Sequence, residues 1–112
     1  GRTWSPATPS HNAKAKSFFC QTKDRGHLYV YNDGPAQREK APGFPHGGRT
    51  SLRYKTKPVG GSWSEERTFY HAGIKNSYPT LTEVSPGAFR CVWDSGTPDR
   101  PRTHIHFAKL KL

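Results

Sequence analysis

The sequence predicts an all-β chain, and three observations carry that reading. Short runs rich in aromatic and β-branched residues alternate with clusters of Gly, Pro, Asn, Asp and Ser, the punctuation of strands and tight turns. Gly (11) and Pro (10) are abundant and apolar content is only 31%, yet three Trp, five Tyr and six Phe supply the burial that a disordered chain lacks. At 112 residues the chain is long enough for one small domain and too short for two.

Taken in order, residues 1–13 read as the end of a turn followed by a loop. Gly1-Arg2-Thr3-Trp4-Ser5 starts without an initiator Met or a cap, as if in the middle of a motif, and residues 6–13 are rich in Pro, Ser and Asn. A first strand is predicted over Ala15–Gln21, with Phe18, Phe19 and Cys20 as its apolar run; Lys23-Asp24-Arg25-Gly26 is the turn, and Leu28–Asn32 returns. Asp33 to Gly48 holds three Pro and four Gly, and a connection of that length in a compact domain usually carries function. Thr50–Thr56 is a third strand, Leu52 and Tyr54 alternating with Arg53 and Lys55; Gly60-Gly61-Ser62-Trp63 turns into a fourth, Arg67–Tyr70. The pattern then restarts with a hairpin, Tyr78–Val84 and Ala88–Trp93 around Ser85-Pro86-Gly87. After a turn over Thr97–Pro101 the last strand runs from His104 to Leu110. The hairpin sets Tyr78 and Asp94 at the same end of their sheet, since the chain goes out and comes back.

The grouping is four strands, a connection, then three. Short strands grouped in fours are the signature of β-propeller blades, and a blade one strand short can be completed from elsewhere in a ring. The units are residues 14–72 as one blade and 73–112 as a final three-stranded blade. A weak internal repeat agrees: Gly1-Arg2-Thr3-Trp4-Ser5 and Gly61-Ser62-Trp63-Ser64 share a Gly, hydroxyl, Trp, Ser core. Glycine permits the tight turn, the hydroxyl bonds the backbone within it, and the Trp packs between strands. Both tryptophans are therefore expected to serve folding and not chemistry.

The formal charge of +10 favours anionic partners, namely nucleic acid, acidic glycans or small carboxylates, although the cations are spread along the chain. No window holds the ~18 apolar residues of a membrane-spanning helix, and no apolar signal-peptide core is visible. Cys20 and Cys91 fall in predicted strands and are expected as free thiols, though spacing alone leaves a disulfide open. No His or Cys cluster has the spacing of a closed zinc site. His104 and His106 share one strand face, but two imidazoles without a third ligand are a weak metal signal, so neither metal nor cofactor is expected.

Thr56-Lys57-Pro58-Val59-Gly60-Gly61-Ser62-Trp63 resembles the Asp box of the sialidase (neuraminidase), or BNR-repeat, superfamily, Ser/Thr-x-Asp-x-Gly-x-Thr-Trp, with Pro58 in place of the namesake Asp. Gly1 to Trp4 looks like the back half of another copy. In that family the box is a hairpin turn and bears on fold, not activity. The resemblance covers nearly the whole chain but only about two of the family's six blades. It implies two antiparallel blades from the C-terminal part of a six-bladed sialidase-like propeller.

Three positions resemble the family's active site. Arg49, in Gly48-Arg49-Thr50-Ser51-Leu52, looks like the third arginine of the triad that grips the substrate carboxylate. Tyr78 looks like the tyrosine nucleophile, and Asp94 stands where the family usually has a Glu that orients the first arginine. The chemistry suits these residue types. An arginine fork bonds a carboxylate bidentately, and sialidases depart from the two-carboxylate glycosidase scheme by using a Tyr nucleophile. A neutral phenol attacks beside a carboxylate without the repulsion that a second carboxylate would meet. With a pKa near 10 it needs a base partner, and Glu65, Glu66 and Glu83 lie in contexts unsuited to that role. The first two arginines and the general-acid Asp have no counterpart. Each position has a plainer alternative: a surface ion pair for Arg49, strand-start packing for Tyr78 before Pro79, and closure of a Ser95-Gly96 turn for Asp94.

The expectation is thus a fragment of a sialidase-like glycoside hydrolase acting on sialylated or other acidic glycans, inactive in isolation. The resemblance alone implies an extracytoplasmic or secreted setting. A non-catalytic glycan-binding propeller is the alternative. A third possibility is a basic β module for nucleic acid, with Tyr29, Tyr31 and Phe107 as stacking platforms.

Overall fold

A computed structural model describes residues 3, 6, 16–32, 51–71, 75–96 and 104–112. Seven strands and no helix occur among the described residues: β1 (Phe18–Gln21), β2 (His27–Asn32), β3 (Ser51–Lys57), β4 (Arg67–His71), β5 (Lys75–Ser85), β6 (Ala88–Gly96) and β7 (His104–Lys111). They form a four-stranded sheet in the order β1-β2-β3-β4 and a three-stranded sheet in the order β5-β6-β7, every pairing antiparallel. The all-β class and the grouping of four strands then three are as the sequence predicts.

Period-two alternation decides which face each residue takes. Leu28, Val30, Leu52 and Tyr54 of the first sheet meet Leu81, Phe89, Cys91, Trp93 and Leu110 of the second in one buried cluster. Each large side chain removed from water there contributes about 1.5–3 kcal/mol, so this layer is the main source of cohesion between the sheets. Cys20 and Cys91 are both free thiols, the latter fully buried.

The turns follow from local chemistry. Pro86 and Gly87 occupy the centre of the β5–β6 turn, and Gly87 has φ +74°, the conformation demanded after a turn-opening proline. Glu83 reinforces this end: one carboxylate oxygen accepts from the Gly87 N–H at 2.8 Å, the other from the Lys23 N–H at 2.6 Å. The β1–β2 and β5–β6 turns are tied together in this way. The segment resembling an Asp box connects β3 to β4. Ser64 N–H donates to the Thr56 carbonyl at 2.8 Å and Ser64 Oγ accepts from the Thr56 N–H at 3.0 Å. Trp63 rests edge-on against Phe19 and Tyr29 with ring centroids 6.3 and 6.5 Å away, so it packs as a folding residue. Trp4 lies outside the described residues.

Two boundaries differ from the sequence reading. β5 begins at Lys75, three residues before Tyr78, and β6 continues through Ser95 and Gly96, which pair with Asn76 and Lys75. Asp94 therefore sits within a strand and closes no turn there. The strand extends past Pro79 because an edge strand tolerates proline at a bulge, where no ladder donor is required.

Candidate functional site

β2, β4 and β6 end, and β3, β5 and β7 begin, at one end of the two packed sheets, away from the Glu83 turn. Buried polar residues gather at this end: Asn32, Ser51, Asn76, Ser77 and Ser95 are all fully buried. Among hydrophobic-faced sheets such a concentration is unusual, because each buried polar group costs free energy unless it is hydrogen-bonded.

Tyr78 is the focus of this end. Ser77 pairs with Asp94 and Thr80 with Val92, so Tyr78 and Pro79 together oppose the single residue Trp93. This is a β-bulge, and Tyr78 occupies it with φ +54°. Bulges of this left-handed kind usually place glycine at that position, since a Cβ crowds the backbone there. The following proline adds a second objection, because a residue before proline is driven towards extended φ. Arg25 also has a positive φ (69°), but in the exposed β1–β2 turn, where Thr22 N–H donates to the Gly26 carbonyl at 2.9 Å. Among the described residues Tyr78 is the non-glycine residue held this way inside a strand, 38% exposed.

Tyr78 lines a pocket of about 230 Å³ with Val92, Trp93, Asp94 and Ile105. Its floor is apolar and Asp94 supplies the carboxylate. Asp94 Oδ1 is buried without a hydrogen-bond partner among the described residues, as are Asn32 Oδ1, Ser77 Oγ and Ser95 Oγ at the same end. A carboxylate oxygen in that condition is an acceptor prepared for a donor, and a guanidinium would satisfy it most strongly. The structure thus brings Tyr78 and Asp94 together at one rim. Arg49 lies outside the described residues; Ser51, which opens β3 at this end, follows it by two positions in sequence.

The sequence reading gives Asn32, Asn76 and Trp93 no bonded role at this end. Asn32 Nδ2 donates to the main-chain carbonyl of Asn76 across the two sheets. Trp93 Nε1–H donates to Asn76 Oδ1 at 3.0 Å. The Trp93 ring is stacked on His106 (5.2 Å, 10°) and meets Phe69 and Tyr70 of β4 at 5.4 and 4.9 Å. Pro79 within an otherwise β-like run is the one signal that could have announced the bulge. Nothing local announces Asn32, whose partner is 44 residues away.

The remaining candidates separate. Glu66 accepts from the Tyr31 hydroxyl and faces Arg53 Nε at 3.8 Å, while Glu83 is held at the opposite end by the two turns. Burial, reinforced by the bond to Glu66, pushes the Tyr31 phenol far above its ordinary range. Tyr29 stacks on Tyr31 at 4.9 Å on the outward face of the first sheet, whereas Phe107 projects from the outward face of the second, beneath the Arg90 guanidinium at 6.0 Å. The three aromatics form no common platform. Among the described residues there is no group of three or more His, Cys, Asp or Glu able to hold a metal ion, and no helix long and apolar enough to cross a membrane. Compared with known proteins, the chain matches no family model, no curated protein and no solved structure.

Proposed function

We propose that the two sheets are adjacent blades from the C-terminal part of a sialidase-like propeller, and that the complete ring is a glycoside hydrolase acting on sialylated or other acidic glycans. In this reading Tyr78 is the nucleophile, Asp94 orients a partner arginine, and Arg49 clamps the substrate carboxylate. The observation that carries it is Tyr78 itself. Residues held in sparsely populated backbone regions persist where surrounding structure over-determines them, and they cluster at functional sites. A tyrosine in a glycine position, beside a buried carboxylate oxygen with no hydrogen-bond partner among the described residues, has a direct chemical rationale.

The outward faces support the ring. Ile105 (78% exposed), Phe107 (64%), Val84 and Val92 line the free face of the second sheet, while Phe19 and Trp63 project from that of the first. Apolar surface of this kind on both flanks fits sheets that have neighbours on either side. Hydrolysis would proceed by attack of the Tyr78 oxygen on the anomeric carbon as the bond to the aglycone breaks, the aglycone leaving as its alcohol with a proton from an acid on another blade. Water then attacks the same carbon, the bond to Tyr78 breaks and the phenol regains its proton. The phenol proton passes to a base on another blade.

The test is hydrolysis of a fluorogenic sialoside by the protein carrying the complete ring, wild type against Tyr78→Phe. Turnover lost with the single hydroxyl is the expected result. If the wild type shows no turnover, the hydrolase reading fails. Saturable binding of an acidic glycan by that same sample, abolished by Arg49→Ala, would then identify a binding propeller.

A further inference from the structure

Tyr78 needs something to hold it in the bulge, because its own backbone preferences oppose that conformation. The register shows what does so. From Thr80 to Glu83 the strand follows one register, Thr80 facing Val92 and Leu81 facing Cys91. Before the bulge it is offset by one residue, with Ser77 facing Asp94 and Asn76 facing Ser95. If the first register simply continued, Tyr78 would face Asp94, Ser77 would face Ser95 and Asn76 would face Gly96.

That single-residue slip would turn every side chain from Asn76 to Tyr78 to the other face. Asn76 would leave the inward face that it shares with Trp93. Its bond from Trp93 Nε1–H, at 3.0 Å, is therefore possible only with the bulge present. Asn32 grips the same residue from the other sheet through the Asn76 carbonyl. Asn32, Asn76 and Trp93 are all nearly or fully buried, so leaving any of these polar groups unmade carries the full desolvation cost.

We propose that Asn76 is the positioning residue for Tyr78: Trp93 and Asn32 lock it in the offset register, and that register forces Tyr78 into the left-handed bulge. Trp93 is also the residue opposite the bulge, so one side chain both faces the strained segment and bonds the residue before it. Calling this positioning for catalysis rests on Tyr78 being the nucleophile; the register lock itself does not.

Trp93→Phe removes the indole donor and keeps an aromatic ring. In the 112-residue chain, backbone NMR of the wild type should show cross-strand contacts between Ser77 and Asp94 and a Tyr78 coupling constant of the left-handed region. In the variant the contacts should move to Ser77 and Ser95, with an extended φ at residue 78. A folded variant that keeps the wild-type register overturns the proposal. If the variant does not fold, native-state hydrogen exchange of the unaltered chain decides. The Trp93 indole proton and the amides of the offset segment from Lys75 to Ser77 should open together at one rate, and independent opening overturns the lock. In the complete ring, the same variant should lose ~10²-fold in kcat with KM little changed, as expected for misplacement of a reacting group. A register shift without any effect on turnover would refute the catalytic reading and leave the lock standing.

Discussion

Replacing Tyr78 by glycine and by alanine tests the strained bulge through a sign and not merely a size. Both substitutions delete the ring, so whatever it contributes in the pocket that it lines with Val92, Trp93 and Ile105 cancels in the comparison. At an ordinary strand position alanine is the more stable by about 0.5–1 kcal/mol, because glycine loses more backbone entropy on folding. At φ +54° the alanine Cβ instead meets the steric cost of the left-handed region, about 1–2 kcal/mol, which glycine escapes. The net expectation is that Tyr78→Gly exceeds Tyr78→Ala by about 0.5–1 kcal/mol. With an unfolding entropy near 2.1 cal/mol/K per residue, a chain of 112 residues converts this to a Tm difference of roughly 2–4 °C in favour of glycine. Thermal unfolding of the two variants, followed by circular dichroism under identical conditions, reads it directly. Equal melting temperatures, or a more stable alanine variant, would refute a strained bulge at residue 78.

Two further expectations concern the body of the fold. Burial pushes the Cys91 thiol up to about 11 from its ordinary value of 9.0, so its contribution is complete below pH 9.0 and is lost as pH rises towards about 11. Urea midpoints measured across that window should fall, and Cys91→Ala should flatten the fall; an unchanged slope in the variant would contradict this. Glu83→Ala removes both acceptors that join the β1–β2 and β5–β6 turns. With allowance for solvent exposure it should lower stability by about 1–2 kcal/mol in urea titration, and an unaltered midpoint would show that water replaces those bonds.

The strands were legible because their signals are local. Aromatic and β-branched runs bounded by Lys23-Asp24-Arg25-Gly26, Gly60-Gly61 and Ser85-Pro86-Gly87 mark the elements and three of their turns. The meeting of Tyr78 with Asp94 was legible for the same reason, since a hairpin's geometry follows from its turn. The bulge was half legible. Pro79 advertises an irregular strand, but whether it begins the strand or interrupts it depends on Lys75 to Ser77 pairing with Asp94 to Gly96. The Asn32–Asn76–Trp93 arrangement was not legible, because it exists only once two sheets dock. Asn32 reads in sequence as the polar end of a strand before a Gly/Pro-rich connection. The separation of Tyr29 and Tyr31 from Phe107 likewise depends on which faces the two sheets turn towards each other, and strand alternation alone leaves that choice open.

Trapping the glycosyl-enzyme tests Tyr78 as the nucleophile most directly. The complete ring would be incubated with an activated fluorinated sialoside, whose fluorine slows release of the glycosyl-enzyme, then digested and its peptides weighed. The peptide containing Tyr78 should gain the mass of one fluorosialyl residue, a gain absent from Tyr78→Phe. Turnover of sialosides accompanied by label on a different residue, or on none, would contradict it.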